Sequence, residues 1–238
     1  PAEPPVYEAV FTPIVPESSP SATPPQDYSS LEQKVVGVHD FCFPIQNCSY
    51  PLQVAEGITT PEQLIKESVI TYPSGGRLSV MAAINGVYFD RDNKLEGIVY
   101  DSRKHYATRQ PHHSRGYFAL SKYGTRGTEV IGKEAIVSET VPGGIPEKGK
   151  DSYYEVIIGT HPLLVVDGKV HPQALEERYS GSTYRSAIGI KDSGRVVCFA
   201  VSDAELSMET WAEKLKGSGY VGALNLDGGP YSQLAVND

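Results

Sequence analysis

The chain lacks any long apolar run. None of its 238 residues lies in a stretch long and apolar enough to cross a bilayer, which takes about 20 mostly apolar residues in a helix. An excess of basic residues is also lacking, since 21 lysines and arginines stand against 29 aspartates and glutamates, for a formal net charge of −8. Phosphate backbones and anionic lipids are bound mainly by clustered lysine and arginine, so we expect neither a nucleic acid nor an anionic membrane as partner.

Basic residues are missing altogether from positions 1–33. This segment holds five carboxylates and eight of the chain's 18 prolines, whereas the rest of the chain holds all 21 basic and 24 acidic side chains and so carries only −3. Proline removes a backbone donor and fixes φ, so residues 16–30 should resist forming a helix or a central strand. We predict an acidic, proline-rich linker or tail over 1–33, with 6–15 as the part that would pack on the body, and one domain over 34–238. A disordered remnant is the alternative interpretation of the tail.

The sequence has no initiator methionine, no signal-like apolar segment and no lipidation motif, which is typical of a processed or trimmed chain. It has only three cysteines, and a structural zinc site would need four ligands at matching spacings. Cys42 and Cys48 flank Pro44, and a turn at Asn47 would let them form a disulfide. Cys198 lies in an apolar run and is predicted to be a buried thiol. Two reduced cysteines are the alternative, but a disulfide behind a proline-rich leader favours secretion or another extracytoplasmic location.

The composition is that of a globular protein, with 39% hydrophobic, 9% aromatic and 21% charged residues. Most of the structural signals are those of strands. The strand candidates are the apolar or alternating runs at 35–38, 78–84, 97–100, 117–121, 154–158, 163–166, 187–190, 195–201 and 222–226.

Helix signals are fewer. Thr60 followed by Pro61 predicts a short helix near 61–68, because threonine caps helices and proline is favoured at the first helical position. A longer helix is predicted to begin at Ser207, with Glu209 in the first turn, where the helix dipole favours negative charge. Its apolar residues recur at the spacing of one buried face, namely Met208, Trp211, Ala212 and Leu215. Many strands and few helices predict an α+β fold with a mixed β-sheet core.

The last quarter of the chain allows a geometric argument. A turn at 192–194 between two apolar runs predicts an antiparallel hairpin of residues 185–191 and 195–202. The second strand of this hairpin, the helix from Ser207 and the strand ending at Leu226 would form a strand–helix–strand unit. Its crossover should be right-handed and its two strands parallel.

Polar side chains follow the strands of this unit. Asp203 and Asp227 would emerge at the carboxyl ends of two parallel strands, the edge where such sheets bind ligands, and the hairpin brings Arg185 to the same edge. Arginine offers a bidentate fork to phosphate or carboxylate, and Gly228 and Gly229 let a ligand approach backbone N–H groups. This predicts a site for a polar, anionic ligand. Alternatively, the Asp-Gly-Gly segment is an ordinary turn, Asp203 only begins a loop, and Arg185 forms a strand-end ion pair.

Four segments together resemble the phosphodiester glycosidase domain family, in its order and spacing. They are AAINGVYFD at 82–90, glycine and PLLVVDG within 159–168, RSAIG at 185–189 and ALNLDGGPYSQL at 223–234. The NLDGG segment is the most specific of them. The resemblance covers 76–236. Tyr231 departs from the family, where small residues usually follow the glycine pair, and would narrow the pocket or offer a face for stacking on a sugar.

The resemblance implies hydrolysis of a sugar 1-phosphodiester, of the N-acetylglucosamine type, at its glycosidic C–O bond, with release of a sugar and a phosphomonoester. Such a site needs an arginine for the phosphate charge and a carboxylate as nucleophile or as the base that activates water. Asp227 is then the predicted nucleophile or base, and Asp203 or Glu96 the second carboxylate. The predicted substrate-binding residues are Arg185 for phosphate, Asn85 for hydrogen bonds to sugar or phosphate, the N–H groups of Gly228 and Gly229 for an oxyanion, and Tyr231 and Ser232 beside them.

The six histidines do not predict a metal site. His112 and His113 are adjacent, so their side chains would diverge on a strand, and His105, His161 and His171 have no partner at ligand spacing. His161 precedes one of the family-like segments and is a candidate for the pocket.

We therefore predict a small-molecule or glycan substrate that contains a phosphodiester, and neither cofactor nor metal. Two other classes of function remain open on the sequence. One is a non-catalytic glycan or cell-wall binding module that uses the same rim, and the other is an exported structural or partner-binding protein.

Overall fold

A computed structural model of the chain describes residues 14–16, 36–46, 60–67, 69–71, 77–88, 96–102, 106–109, 115–122, 124–126, 129–146, 150 and 152–236. Over these residues the fold is mostly β-sheet with two α-helices, which confirms the predicted α+β class. The helices are α1 (Pro61–Glu67) and α2 (Met208–Gly217). The strands are β1 (Ile14–Pro16), β2 (Val38–Pro44), β3 (Val69–Thr71), β4 (Arg77–Val80), β5 (Ala82–Ile84), β6 (Ile98–Asp101), β7 (Tyr106–Arg109), β8 (Gly116–Ser121), β9 (Gly124–Arg126), β10 (Glu129–Gly132), β11 (Ala135–Ser138), β12 (Tyr154–Thr160), β13 (Leu163–Val166), β14 (Lys169–Val170), β15 (Ser186–Lys191), β16 (Val196–Ser202), β17 (Gly222–Asn225) and β18 (Leu234–Val236).

The largest sheet in the described part of the chain has six strands in the order β14-β13-β17-β15-β16-β2. Strands β16 and β17 both pair antiparallel with β15, which lies between them, so they run parallel to each other. Helix α2 connects them. This confirms the predicted parallel strands of the strand–helix–strand unit, and it brings the carboxyl ends of β16 and β17 to one edge of the sheet together with the start of β15.

The hairpin of β15 and β16 is also confirmed, with Ser186 opposite Val201 and Lys191 opposite Val196. The three residues of its turn, Asp192–Gly194, all have positive φ angles, and that of Gly194 is 86°. A Cβ on Gly194 would lie 2.1 Å from the carbonyl oxygen of Ala135. Glycine is therefore required there by both the left-handed backbone and the close contact.

A second main sheet, within the described residues, has five antiparallel strands in the order β11-β8-β12-β6-β7. Side chains from both sheets form one apolar core, which includes Phe118 and Ile158 from the five-stranded sheet and Ile188 and Leu224 from the six-stranded sheet. The two sheets therefore pack face to face. Alternation along the strands places the small residues of the six-stranded sheet on its other face, under α2.

Both predicted helices are present at the predicted positions. The side chain of Ser207 caps α2 by accepting the N–H of Thr210, and the predicted apolar face is buried against the six-stranded sheet. In α1, Thr60 Oγ1 accepts the N–H of Gln63 and Gln63 Oε1 accepts the N–H of Thr60. This reciprocal pair is a capping box.

The predicted disulfide between Cys42 and Cys48 is wrong. Cys42 is bonded to Cys198, which is its cross-strand partner in the antiparallel pair of β2 and β16, with the two Cα atoms 4.1 Å apart. Cys198 is consequently buried as predicted but is not a free thiol. The sequence around Cys42 predicts a local turn, whereas the structure has an edge strand there. An edge strand tolerates Pro44 as its last residue, because proline has no backbone N–H to donate to a neighbouring strand. Cys48 lies outside the described residues.

The predicted strand at 35–38 overlaps β2 only at its last residue, and the predicted strand at 78–84 is split at Met81 between β4 and β5, which belong to different sheets. Strand β1 pairs with β4, so the end of the 6–15 segment lies against the body. The remaining residues up to 35 lie outside the described part, and the linker boundary at 33 stays a prediction. No helix among the described residues is long and apolar enough to cross a membrane.

Candidate active site

Three strand ends meet at the carboxyl edge of β16 and β17. The N–H of Ser202 donates to the carbonyl oxygen of Arg185, and the N–H of Leu226 donates to that of Ser186, both at 2.9 Å. Arg185, Asp203 and Asp227 therefore stand on one edge of the six-stranded sheet. Their side chains, however, do not all turn toward the same point.

Asp227 is the centre of the candidate site. Its backbone N–H donates to the carbonyl oxygen of Gly86 at 2.9 Å, and its Oδ1 accepts the N–H of Gly228 at 2.8 Å. Burial raises the pKa of the Asp227 carboxyl from 3.8 to about 6; the Gly228 N–H opposes this rise and the nearby charge of Glu96 adds to it. A carboxyl group with such a pKa changes its charge close to neutral pH.

Of the two candidates for a second carboxylate, Glu96 and not Asp203 acts electrostatically on Asp227, where its charge adds to the rise in the pKa. The Asp203 side chain is 42% exposed and lies 4.0 Å from His39 Nε2, at the start of β2. Strand β15 separates β16 from β17, so the two aspartates leave the sheet about two strand spacings, or roughly 10 Å, apart. Topology predicted the shared edge correctly but could not predict that Asp203 would turn toward β2.

Arg185 is 7% exposed and its guanidinium is fixed by backbone carbonyl groups. Its Nε donates to Leu206 O at 2.9 Å and one Nη donates to Gly181 O at 2.6 Å. Burial lowers the pKa of this guanidinium, and the neighbouring Tyr88 raises it. No carboxylate within the described residues lies at ion-pair distance from Arg185. A buried cation without an anion is costly, so the site favours an anionic ligand.

Asn85 is buried beneath Asp227 and is occupied by protein groups. Its Nδ2 donates to the carbonyl oxygen of Asp227 at 2.8 Å, while its Oδ1 accepts the Ser186 hydroxyl at 2.7 Å and the Gln233 N–H at 3.1 Å. With 1% of its surface exposed, Asn85 ties three segments together. These contacts hold the backbone of Asp227 in place, and the substrate contact predicted for Asn85 from the sequence stays a prediction.

The predicted oxyanion role of the two glycine N–H groups is not supported. The N–H of Gly228 is used by Asp227, and that of Gly229 donates to the carbonyl oxygen of Tyr184 at 2.8 Å. A Cβ on Gly228 would lie 2.9 Å from the same oxygen, and Gly229 has a φ of 69°. These glycines are needed for the close approach of the turn to residue 184.

Tyr231 and Ser232 follow in the same turn. The Tyr231 side chain lies at the surface, with 38% of the residue exposed. The Ser232 hydroxyl is buried and has no hydrogen-bond partner among the described residues, while the Ser232 N–H donates to Gly229 O. They follow Asp227 closely in the chain and remain predicted contacts for the substrate.

Tyr88 and Asn225 belong to the site but received no role from the sequence. Asn225 Nδ2 donates to the phenol oxygen of Tyr88, and the Tyr88 ring stacks on His161 with 5.0 Å between ring centroids. His161 Nδ1 in turn lies 3.4 Å from the Tyr179 hydroxyl. The signal for Asn225 was present, since an amide within the apolar strand run GALNL needs a buried partner.

Of the other histidines considered in the sequence, His171 is described, and its contacts lie outside this site. His171 caps a short 3-10 helix by accepting the Gln173 N–H, and its ring lies 3.2 Å from Glu139. His105, His112 and His113 are outside the described residues. Within the described part, a cluster with metal-ligand spacing is formed by Asp40 and the two bonded cysteines, whose sulfurs are not available as thiolates.

The sequence matches the phosphodiester glycosidase family over residues 79–238. The chain belongs to this family. Its fold is similar to that of the catalytic domain of zebrafish N-acetylglucosamine-1-phosphodiester alpha-N-acetylglucosaminidase, solved in a form auto-inhibited by its pro-peptide. The two share 15% identity at a TM-score of 0.50, and the match covers 86% of this chain and 75% of that one. A hypothetical protein from Synechocystis is 15% identical, with a TM-score of 0.41, over 84% of this chain and 52% of its own. No curated protein matches the chain in sequence.

Proposed function

We propose that this protein is a hydrolase that cleaves a sugar 1-phosphodiester at the bond between the sugar carbon and the phosphate oxygen. Water is consumed, and a free sugar and a phosphomonoester are released. The observation that carries the proposal is a buried guanidinium without a carboxylate partner, Arg185, on the same sheet edge as Asp227, which is paired in the proposal with Glu96, whose charge acts on the Asp227 carboxyl. The first of these groups fits the phosphate and the pair fits the reacting sugar carbon.

Asp227 acts in this proposal as the nucleophile or as the base that activates water. A phosphomonoester is a good leaving group, so the site needs little help from a general acid. A carboxyl group with a pKa of about 6 is mostly ionised at neutral pH and is a stronger base than an exposed aspartate. Glu96 is the second carboxylate. Burial is the main cause that makes the Asp227 carboxyl more basic, and the charge of Glu96 adds to it.

The substrate class follows from family membership and from the name of the zebrafish neighbour, which acts on an N-acetylglucosamine 1-phosphodiester. We extend this class to the present chain. A disulfide between Cys42 and Cys198 supports an extracytoplasmic location, because such bonds persist in oxidising compartments.

The test is hydrolysis of an N-acetylglucosamine 1-phosphodiester by the parent protein and by Asp227→Asn. The parent should release N-acetylglucosamine, and the variant should lose at least about 10³-fold in kcat, because an amide is neither a nucleophile nor a base. In the parent, kcat/KM should rise with pH up to about 6 and then level off, as the Asp227 carboxyl ionises.

Asp192→Asn is the matched control, since Asp192 is exposed in the distant turn of the hairpin and its positive φ of 46° suits asparagine. It should keep full activity. If parent and Asp227→Asn bind a glycan equally and neither turns over any sugar phosphodiester of a panel that includes nucleotide-sugar and teichoic-acid-like compounds, the protein is a binding module and the proposal fails.

A further inference from the structure

The hydroxyl group of Tyr88 has a direction that is set by Asn225. One atom of the Asn225 amide lies 2.6 Å from the carbonyl oxygen of Leu226 and also within hydrogen-bond distance of the Tyr88 phenol oxygen. A backbone carbonyl oxygen only accepts, so the amide atom beside it must be the nitrogen. The same nitrogen then donates its other N–H to the phenol oxygen. The phenol proton must therefore point away from Asn225.

No described residue accepts this phenol proton. The ring itself is held in place, because it stacks on His161 at an interplanar angle of 27° and the Tyr88 carbonyl oxygen accepts the Glu96 N–H at 2.7 Å. The residue as a whole keeps part of its surface exposed. An oriented donor without a protein acceptor, in a largely desolvated place, is suited to an acceptor that a ligand brings.

Tyr88 is close enough to both charged groups of the site, Asp227 and Arg185, to interact electrostatically with each. Its partner Asn225 precedes Asp227 by two residues. In the sheet Asn225 is opposite Ala187, which follows Arg185 by two residues. The electrostatic environment agrees with this position. Burial is the main cause that raises the pKa of the Tyr88 phenol, the charge of Asp227 raises it further, and the charge of Arg185 lowers it. The phenol is therefore neutral near pH 7.

We propose that Tyr88 is a further substrate-binding residue, whose hydroxyl donates a hydrogen bond to the phosphate of the substrate beside the guanidinium of Arg185. The choice of phosphate rests on the proposed function. The hydroxyl contributes a hydrogen bond in this proposal, and the phosphate leaving group needs no proton from it. Negative charge develops on the phosphate as the glycosidic bond breaks, so this donor stabilises the transition state more than the bound substrate.

Inorganic phosphate is the probe for this inference, because its binding needs no turnover. Calorimetric titration compares the parent with Tyr88→Phe, which keeps the ring and its stacking on His161 and removes only the hydroxyl. Phosphate affinity should fall about tenfold in the variant, the loss expected for a hydrogen bond to a charged group. The matched control is Tyr220→Phe. Tyr220 is buried and its phenol donates to Asp40 Oδ2 at 3.0 Å. It precedes β17, whereas Asp227 follows that strand, so Tyr220 is at the other end of the strand from the site. Phosphate affinity should not change in this control.

Equal phosphate affinity in Tyr88→Phe and the parent would overturn the inference, and so would a parent that binds no phosphate. The second measurement is the rise in Tm that phosphate produces in each protein. Because each rise is measured against the same protein without phosphate, parent and Tyr88→Phe can be compared even if the variant is less stable. Turnover separates this result from the proposed function. When the parent hydrolyses the diester, Tyr88→Phe should lose about 10²-fold in kcat. When the parent hydrolyses no sugar phosphodiester, the proposed function fails while the phosphate titration still decides the role of Tyr88.

Discussion

The carboxyl group of Asp227 shows how one side chain serves the site at the expense of the fold. Its folded-state pKa of about 6 lies above the ordinary 3.8, so the folded protein holds a proton that the unfolded chain has already released over the interval between these values. Stability is therefore lost as pH rises from about 4 to about 6. The shift of roughly two pKa units corresponds to about 3 kcal/mol at neutral pH.

This linkage makes a prediction for Asp227→Asn that is separate from catalysis. Asparagine cannot ionise, so the variant should exceed the parent in free energy of unfolding by up to about 3 kcal/mol at pH 7.5, and the difference should shrink toward zero near pH 4. Urea unfolding at both pH values measures this, with Asp192→Asn as the exposed control. A difference that does not change with pH would show that the Asp227 carboxyl is not destabilised by burial.

The residues of the site differ in how far sequence could predict them. Asp227 and Arg185 were placed on one edge by topology, because hairpin register and crossover rules fix where strands end. The direction of a side chain beyond the strand end is set by contacts between distant segments. For this reason Asp203 turns toward His39, and the Gly229 N–H donates to the carbonyl oxygen of Tyr184. Neither contact can be predicted from the local sequence.

At the scale of elements, the Asn85 amide joins the end of β5 to β15 and to the segments on either side of the turn after β17. Asn85→Ala would leave several buried polar groups without partners, and we expect a loss of about 3 kcal/mol in the free energy of unfolding. A residue that positions Asp227 should change kcat much more than KM. A direct substrate contact made equally in the ground and transition states would instead raise KM with kcat unchanged.

Ser186→Ala is the graded control for this prediction. It removes only the hydroxyl that donates to Asn85 Oδ1, while the Gln233 N–H still serves that oxygen. We expect a loss of about 1 kcal/mol and a kcat close to that of the parent. Steady-state kinetics together with urea unfolding of both variants separates the two effects. Loss of kcat in Ser186→Ala as large as in Asn85→Ala would contradict a specific link between Asn85 and Asp227.

The strands and helices with strong local sequence signals could be predicted, and there is a physical reason why several short strands could not. Strand β13 is a continuous apolar run between turns, and α2 has a capping serine and one apolar face, so both were predicted at their observed positions. Strands β7, β9, β10, β14 and β18 are no longer than β13 and, unlike it, contain no run of four apolar residues. Such short segments are strands only because a partner strand lies beside them. For β18 this partner is β5, which is distant in sequence, whereas β7, β9, β10 and β14 pair with strands next to them in the chain.

The whole molecule carries a formal net charge of −8, yet its candidate site binds an anion in our proposal. The two facts are compatible because five of the acidic residues and no basic ones lie in 1–33, which leaves the rest of the chain nearly balanced. A single arginine that is already desolvated and held by carbonyl groups can bind one phosphate without a basic surface. A polyanion would need many such contacts, and the composition does not provide them.

The disulfide between Cys42 and Cys198 links residues 156 positions apart and fastens the edge strand β2 to the six-stranded sheet. A crosslink over so long a loop restricts the unfolded chain strongly, so replacing both cysteines with alanine should lower the free energy of unfolding by about 4 kcal/mol. Peptide mapping by mass spectrometry without reduction should find residues 42 and 198 in one linked peptide pair. Cys48→Ala, the matched control, should keep that pair and the parental stability. A linked pair of Cys42 and Cys48, lost together with stability in Cys48→Ala, would instead mean that β2 is held to β16 by its backbone ladder alone.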